Sequence, residues 1–165
     1  DWHQAELRVI YQVVEPSTID LKVHLKSHAS YPYYQIYLSS YFSRGYYTGF
    51  PRDMRAAMAH YDGRVAGDSI TGPYYAESLA FMFNRQAETA CAIMAKREAC
   101  DFVKVTYQPD EVWDSVSAHN GIYLTLVGKD VAAGEEWSTR VRLQLIWVRH
   151  NFGVVLERYN EFLEG

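Results

Sequence analysis

ELRVIYQVVEPSTIDLKVHL, residues Glu6–Leu25, decides the fold. Leu7, Val9, Tyr11 and Val13 alternate with Glu6, Arg8 and Gln12. After Pro16-Ser17-Thr18 the alternation resumes, with Ile19, Leu21, Val23 and Leu25 against Asp20, Lys22 and His24. A period of two residues is the spacing of a pleated strand, and Pro-Ser-Thr is turn chemistry. The stretch therefore predicts a hairpin of two amphipathic strands, each with one wet face.

Next comes YPYYQIYLSSYFSRGYYTGF, Tyr31–Phe50, which is crowded with aromatic residues. Tyrosine is apolar along its ring and polar at its tip, so such a run suits a wall that meets water or a ligand. Alternation splits it into two rows. Tyr33, Tyr37 and Tyr41 share one face, and Tyr34, Ile36, Leu38 and Phe42 share the other. The second row is the better core, so Tyr33, Tyr37 and Tyr41 are expected to be exposed.

Further along, Pro51 suits a first helical position, and Met54, Ala57, Met58 and Tyr61 recur at helical spacing. A short internal helix is expected over Pro51–Tyr61. Glu88–Ala99 stays open between helix and strand, although its alanines favour helix by propensity. Phe102–Tyr107 reads as a strand. Ile122–Val127 and Trp137–Val148 read as the second hairpin, with Gly128–Gly134 as its turn region. Asn151 is a plausible cap for a terminal helix whose apolar stripe is Phe152, Val155, Leu156, Tyr159, Phe162 and Leu163. The sum is a mainly β chain: an antiparallel β-sandwich with a short internal helix and a C-terminal amphipathic helix.

The 165 residues, 48% of them hydrophobic, suffice for a single domain with its own core. A net charge of -4 with scattered basic residues argues against nucleic acid as a partner. No apolar run is long enough to span a bilayer. The start, DWHQAELRV, lacks the basic and apolar regions of a signal peptide and enters a strand pattern at once, as a fragment of a larger protein would. Cys91 and Cys100 could bridge, but small buried free thiols are the plainer reading, and the compartment stays open. Neither G-x-x-x-x-G-K-[ST] nor G-x-G-x-x-G occurs, so no nucleotide cofactor is expected.

His119–Ile146, HNGIYLTLVGKDVAAGEEWSTRVRLQLI, resembles the closing hairpin of galactose-mutarotase-like, or super-sandwich, domains. Those domains carry a turn of the form G-[KR]-D-[LV]-x-A-G-E and a return strand of the form R-x-R-L. Ile19–Phe42 resembles their strand pair followed by an aromatic-rich strand. The resemblance covers a third to a half of the chain and its motifs are structural. It implies contact with carbohydrate as a class, whether in a binding or accessory domain or in a sugar epimerase or lyase. It also implies that the chain is short for a complete domain of this type.

Several constellations could carry chemistry. Trp113, Asp114 and His119 would supply an apolar platform and polar groups to a sugar cleft; as ordinary loop residues they would form turns and plug a core edge. Together with Tyr33, Tyr37 and Tyr41 they are the expected ligand-binding set, with an oligosaccharide as partner. Gly67-Asp68-Ser69 resembles the GDS string of serine esterases, which implies Ser69 as nucleophile and His119 or His150 as base. The antiparallel context and the missing D-x-x-H favour a plain turn. His60-Tyr61-Asp62 could join the tyrosines in acid–base work, or simply end a helix. His24 and His28 would lie roughly 13 Å apart on a strand, too far to share a metal, so no metal site is expected. An assembly role, with the aromatic wall against an adjacent domain or a second copy, is the remaining alternative.

Overall fold

The structure, a computed structural model, describes residues 4–42, 46–51, 58–60, 73–74, 78–84, 86–106, 120–149 and 151–165; for 46–51, 58–60, 73–74, 104–106 and 120 it describes the backbone alone. Two antiparallel sheets are stacked, and one helix covers the outside of the larger sheet. The strands are β1 (Ala5–Glu15), β2 (Thr18–Ser27), β3 (Tyr31–Phe42), β4 (Tyr46–Pro51), β5 (Met58–His60), β6 (Pro73–Tyr74), β7 (Leu79–Asn84), β8 (Thr89–Ala95), β9 (Cys100–Thr106), β10 (Asn120–Val131) and β11 (Glu136–Trp147), followed by α1 (Gly153–Glu164). The seven-stranded sheet runs β1-β2-β11-β8-β7-β4-β5, and the four-stranded sheet runs β3-β10-β9-β6.

The first hairpin forms as its pattern predicts. Leu7 stands opposite Leu25, Val9 opposite Val23 and Tyr11 opposite Leu21. Leu21, Val23 and Leu25 are buried between the sheets, but β1 is exposed on both faces. The expectation that its apolar row enters the core is thus corrected. Among the described residues no strand of the smaller sheet lies over β1, which is at the edge of the larger sheet.

Between the sheets, Ala80, Met82, Ile93, Ala95 and Val141 meet Val103, Ile122, Leu124 and Leu126, with Ile36, Leu38 and Phe42 packed against them. On the other side of the larger sheet, Leu79, Phe81, Phe83, Ala90, Ala92 and Met94 receive Val155, Tyr159 and Phe162 of the helix. β8 belongs to both cores. Its two faces are buried, with Ile93 and Ala95 inside and Ala90, Ala92 and Met94 under α1. Small side chains let the helix approach the sheet closely, which settles Glu88–Ala99. The residues that favour a helix in isolation form a central strand, followed by a single 3-10 turn at Arg97–Ala99.

The stripe on α1 is as expected, but the cap position is corrected from Asn151 to Phe152, which makes no side-chain cap bond; Asn151, one residue earlier, accepts the Gly153 N–H at 3.1 Å. At the other end, Lys96 Nζ donates to the Leu163 carbonyl at 2.6 Å and Arg140 Nη2 to that of Phe162 at 3.2 Å. Cations at a helix C-terminus satisfy its free carbonyls and oppose its dipole.

Two further expectations are corrected. The described part of Pro51–Tyr61 is strand: Pro51 ends β4, and Met58–His60 form β5 beside it. Met54, Ala57 and Tyr61, which carry the helical spacing, lie outside the described residues. β10 and β11 are not a hairpin, because β10 pairs with β3 and β9 while β11 pairs with β2 and β8. The connection after Val131 crosses from one sheet to the other. Both cysteines are free and half-buried.

Candidate functional site

β3 is an outer strand of the smaller sheet. Its even residues Ile36, Leu38 and Phe42 pack inward, which turns its odd residues outward. Tyr33, Tyr37 and Tyr41 are 57%, 52% and 62% exposed. Tyr34, placed by alternation on the core side, is half-buried and packs on Tyr31 with ring centroids 5.2 Å apart. Tyr41 meets Tyr123 of β10 edge-on at 6.1 Å.

A chain of hydrogen bonds organises this outer face. Tyr37 Oη donates to Gln35 Oε1 at 2.9 Å, and Gln35 Nε2 donates to Asp101 Oδ2 at 3.0 Å. The same oxygen accepts from Tyr33 Oη at 2.6 Å. Asp130 Oδ1 accepts the Tyr33 backbone N–H at 2.9 Å. Two phenols, an amide and two carboxylates are therefore brought together beside exposed aromatic rings, groups of the kind that exchange hydrogen bonds with hydroxyls.

Irregular backbone aims these groups. In β10 the register shifts between Val127 and Lys129 against β3, and Val127 and Gly128 have φ of 77° and 59°. Tyr33 itself sits at φ 45°. A β-carbon on Gly128 would stand 2.7 Å from Asp101 Oδ2 and nearer still to Asp101 Cβ and Cγ. Only glycine admits that close approach, and it seats Asp101 under the bend. The string Gly128-Lys129-Asp130-Val131-Ala132-Ala133-Gly134-Glu135 thereby acquires physical roles. Gly128 makes room for Asp101, and Asp130 holds Tyr33. Glu135 accepts from Ala132 N–H at 3.0 Å and from Lys129 Nζ at 2.7 Å. Those two donors, Lys129 first, hold the Glu135 carboxyl below its ordinary pKa. A concavity of about 370 Å³ lies at this end of the row, lined by Tyr31, Pro32, Asp130 and Glu135 among others.

Of the expected set, Tyr33, Tyr37 and Tyr41 share one surface; Trp113, Asp114 and His119 lie outside the described residues, as do Ser69, His150, Tyr61 and Asp62. His28 Nε2 contacts Glu6 Oε1 at 2.6 Å, and among the described residues no group of three or more His, Cys, Asp or Glu could hold a metal. Sequence reasoning missed Gln35, Asp101 and Asp130. Each is unremarkable locally, and only strand pairing brings them to the tyrosines.

A second groove, of about 430 Å³, runs past Glu15, Ser17, Gln144, Trp147 and Arg158. Trp147 is 61% exposed there, but the Arg149 guanidinium already lies 5.2 Å from its ring centre. Gln144 Nε2 donates to Glu15 Oε1 at 3.3 Å.

No protein-family model matches the sequence, and no curated protein matches it. Solved structures do match the fold. A provisionally assigned aldose 1-epimerase of Klebsiella pneumoniae subsp. pneumoniae MGH 78578 is 14% identical, with a TM-score of 0.64 over 99% of this chain and 52% of that one. Another, from Escherichia coli K12, is 9% identical, with a TM-score of 0.59 over 87% and 60%. Slr1438 from Synechocystis sp. PCC 6803 is 13% identical, with a TM-score of 0.58 over 87% and 55%. The chain thus spans 52% to 60% of the length of these three proteins. At such identities the likeness is one of fold: the chain has the mainly β sandwich fold of these proteins, two of them provisionally assigned aldose 1-epimerases.

Proposed function

We propose that this domain binds carbohydrate on the outer face of the four-stranded sheet, as a binding or accessory module of a carbohydrate-active protein. The observation that carries the reading is the exposed row Tyr33-Tyr37-Tyr41 with its bonded chain through Gln35 to Asp101. Tyr37 and Tyr41 are four strand residues apart, about 14 Å at the usual rise, so they can meet different sugar rings of one chain. Rings offer apolar faces to C–H groups, while the carboxylates and amide fix hydroxyls. The fold shared with provisionally assigned aldose 1-epimerases supports the same class of ligand. Trp113, Asp114 and His119 belong to the proposed ligand set.

A panel of oligosaccharides titrated by calorimetry tests this. At least one should bind, and Tyr37→Ala with Tyr41→Ala should weaken it, roughly tenfold per ring lost. Absence of binding across the panel, or unchanged affinity in the double variant, would sink the idea. Those same neighbours favour a second reading, in which the domain acts on aldoses as an epimerase with His119 in acid–base work. Loss of anomer interconversion in His119→Ala would support it, and no interconversion by the unaltered protein would exclude it.

A further inference from the structure

We infer that the tyrosine face takes amino-sugar chains with free ammonium groups in preference to neutral chains, and refuses chains of uronic acids. The inference rests on the carbohydrate reading above and narrows its ligand class. Sugar chains are acidic, neutral or basic, and the groups gathered at the Tyr33 end of the row choose between them. Asp101 accepts from Tyr33 and Gln35, and Asp130 accepts from the Tyr33 backbone. Glu135 shares the adjoining concavity with Asp130 and Tyr31. The bonded chain and the concavity thus bring together three carboxylates and one ammonium, that of Lys129, which Glu135 already holds at 2.7 Å. This end of the row is anionic.

The aromatic rings lean the same way. The face of a tyrosine ring is the negative part of its quadrupole, so it attracts a cation and not a carboxylate. Tyr33, Tyr37 and Tyr41 are each more than half exposed, so a ligand can reach them. An ammonium brings three N–H donors and no acceptor, which suits carboxylate oxygens and ring faces together. A uronate would bring acceptors and a like charge to the same place.

One further polar group on this face lacks a partner. Leu124 and Leu126 of β10 enter the core, so Thr125 between them turns outward. It stands in register between Tyr37 of β3 and Phe102 of β9. Its side chain is fully buried, and its Oγ1 has no hydrogen-bond partner among the described residues. A buried hydroxyl left unbonded is costly, and a ligand N–H or hydroxyl entering between those two residues would complete it.

An exposed ion pair and an exposed cation–π contact are each worth a few-fold in affinity, so one ammonium at the Tyr33 end should favour the amino sugar roughly tenfold. Calorimetry in mildly acidic buffer, with tetramers of glucosamine, N-acetylglucosamine and galacturonate, tests the inference. The glucosamine tetramer should bind roughly tenfold more tightly than its acetylated counterpart, and the galacturonate tetramer should not bind. Added salt should shrink the difference. Asp101→Asn with Asp130→Asn keeps an oxygen to accept each bond but removes both charges, and should cut the ratio of the first two affinities roughly threefold or more in folded protein. Glu157→Gln with Glu164→Gln removes the same charge from exposed positions of α1, which covers the other sheet, and should leave the ratio as it was. Equal or tighter binding of the neutral or the acidic tetramer overturns the inference and leaves the carbohydrate reading standing. A ratio that falls equally with either pair of substitutions overturns it too, because the preference would then belong to the net charge and not to this face. If none of the three tetramers binds, the inference falls, and the wider panel above decides the carbohydrate reading.

Discussion

Gly128→Ala is expected to destabilise the protein through a contact no sequence pattern announces. The residue sits at φ 59°, a region that costs an L-residue about 1–2 kcal/mol. Its new methyl would also overlap Asp101, with Oδ2 at 2.7 Å and the aliphatic carbons of that side chain closer. Overpacking of this kind costs a further ~1–3 kcal/mol. The sum is about 2–5 kcal/mol, which for a chain of this size lowers Tm by roughly 5–15 °C. Asp101 can escape only by leaving Tyr33 and Gln35, so the tyrosine face should loosen together with the fold. Urea unfolding of the single variants and of the pair with Asp101→Gly separates the two terms. Without the Asp101 side chain only the backbone cost should remain, giving a coupling of ~1–3 kcal/mol. A cost below about 1 kcal/mol in the parent background, or an equal cost with and without the Asp101 side chain, would refute the reasoning.

Other perturbations report on other parts of the fold. Asp20, 4% exposed, accepts from Arg142 Nε at 2.7 Å and Nη2 at 3.0 Å, a bond that raises the pKa of Arg142; Asp20→Ala should cost about 3 kcal/mol in urea unfolding, because it strands a half-buried guanidinium. Tyr159→Phe removes the buried acceptor of the Ser78 N–H, bonded at 3.2 Å, and should cost about 1–2 kcal/mol in the same assay. Burial pushes the Cys100 thiol up from 9.0 to about 11 and raises that of Cys91, so both should resist iodoacetamide at neutral pH until the protein unfolds. Because the folded value for Cys100 is the higher one, its contribution to stability is complete below pH 9.0 and is lost as pH rises toward about 11. Thermal scans of Cys100→Ala across that window should show a shallower alkaline decline than the parent.

The sequence by itself determined the local elements and their sidedness wherever one face of a strand dominates. The Glu6–Leu25 hairpin, the terminal helix stripe and the outward row Tyr33, Tyr37, Tyr41 all follow from alternation or from a 3.6-residue period, because the side-chain direction of a regular element is set by its backbone geometry. Pairing was not legible. β10 and β11 alternate as hairpin strands would, yet they enter different sheets, since alternation tells a strand which face to bury and not which neighbour to take. β8 became a strand against its alanines because both of its faces lie between other layers, where small side chains are an advantage. The candidate site divides in the same way. Its tyrosines could be read from Tyr31–Phe50, but Gln35, Asp101 and Asp130 join them only through the β3–β10–β9 pairing and the bend at Gly128. The exposure of β1 is likewise a tertiary fact: its pattern is that of a buried face, but no described strand of the four-stranded sheet lies over it.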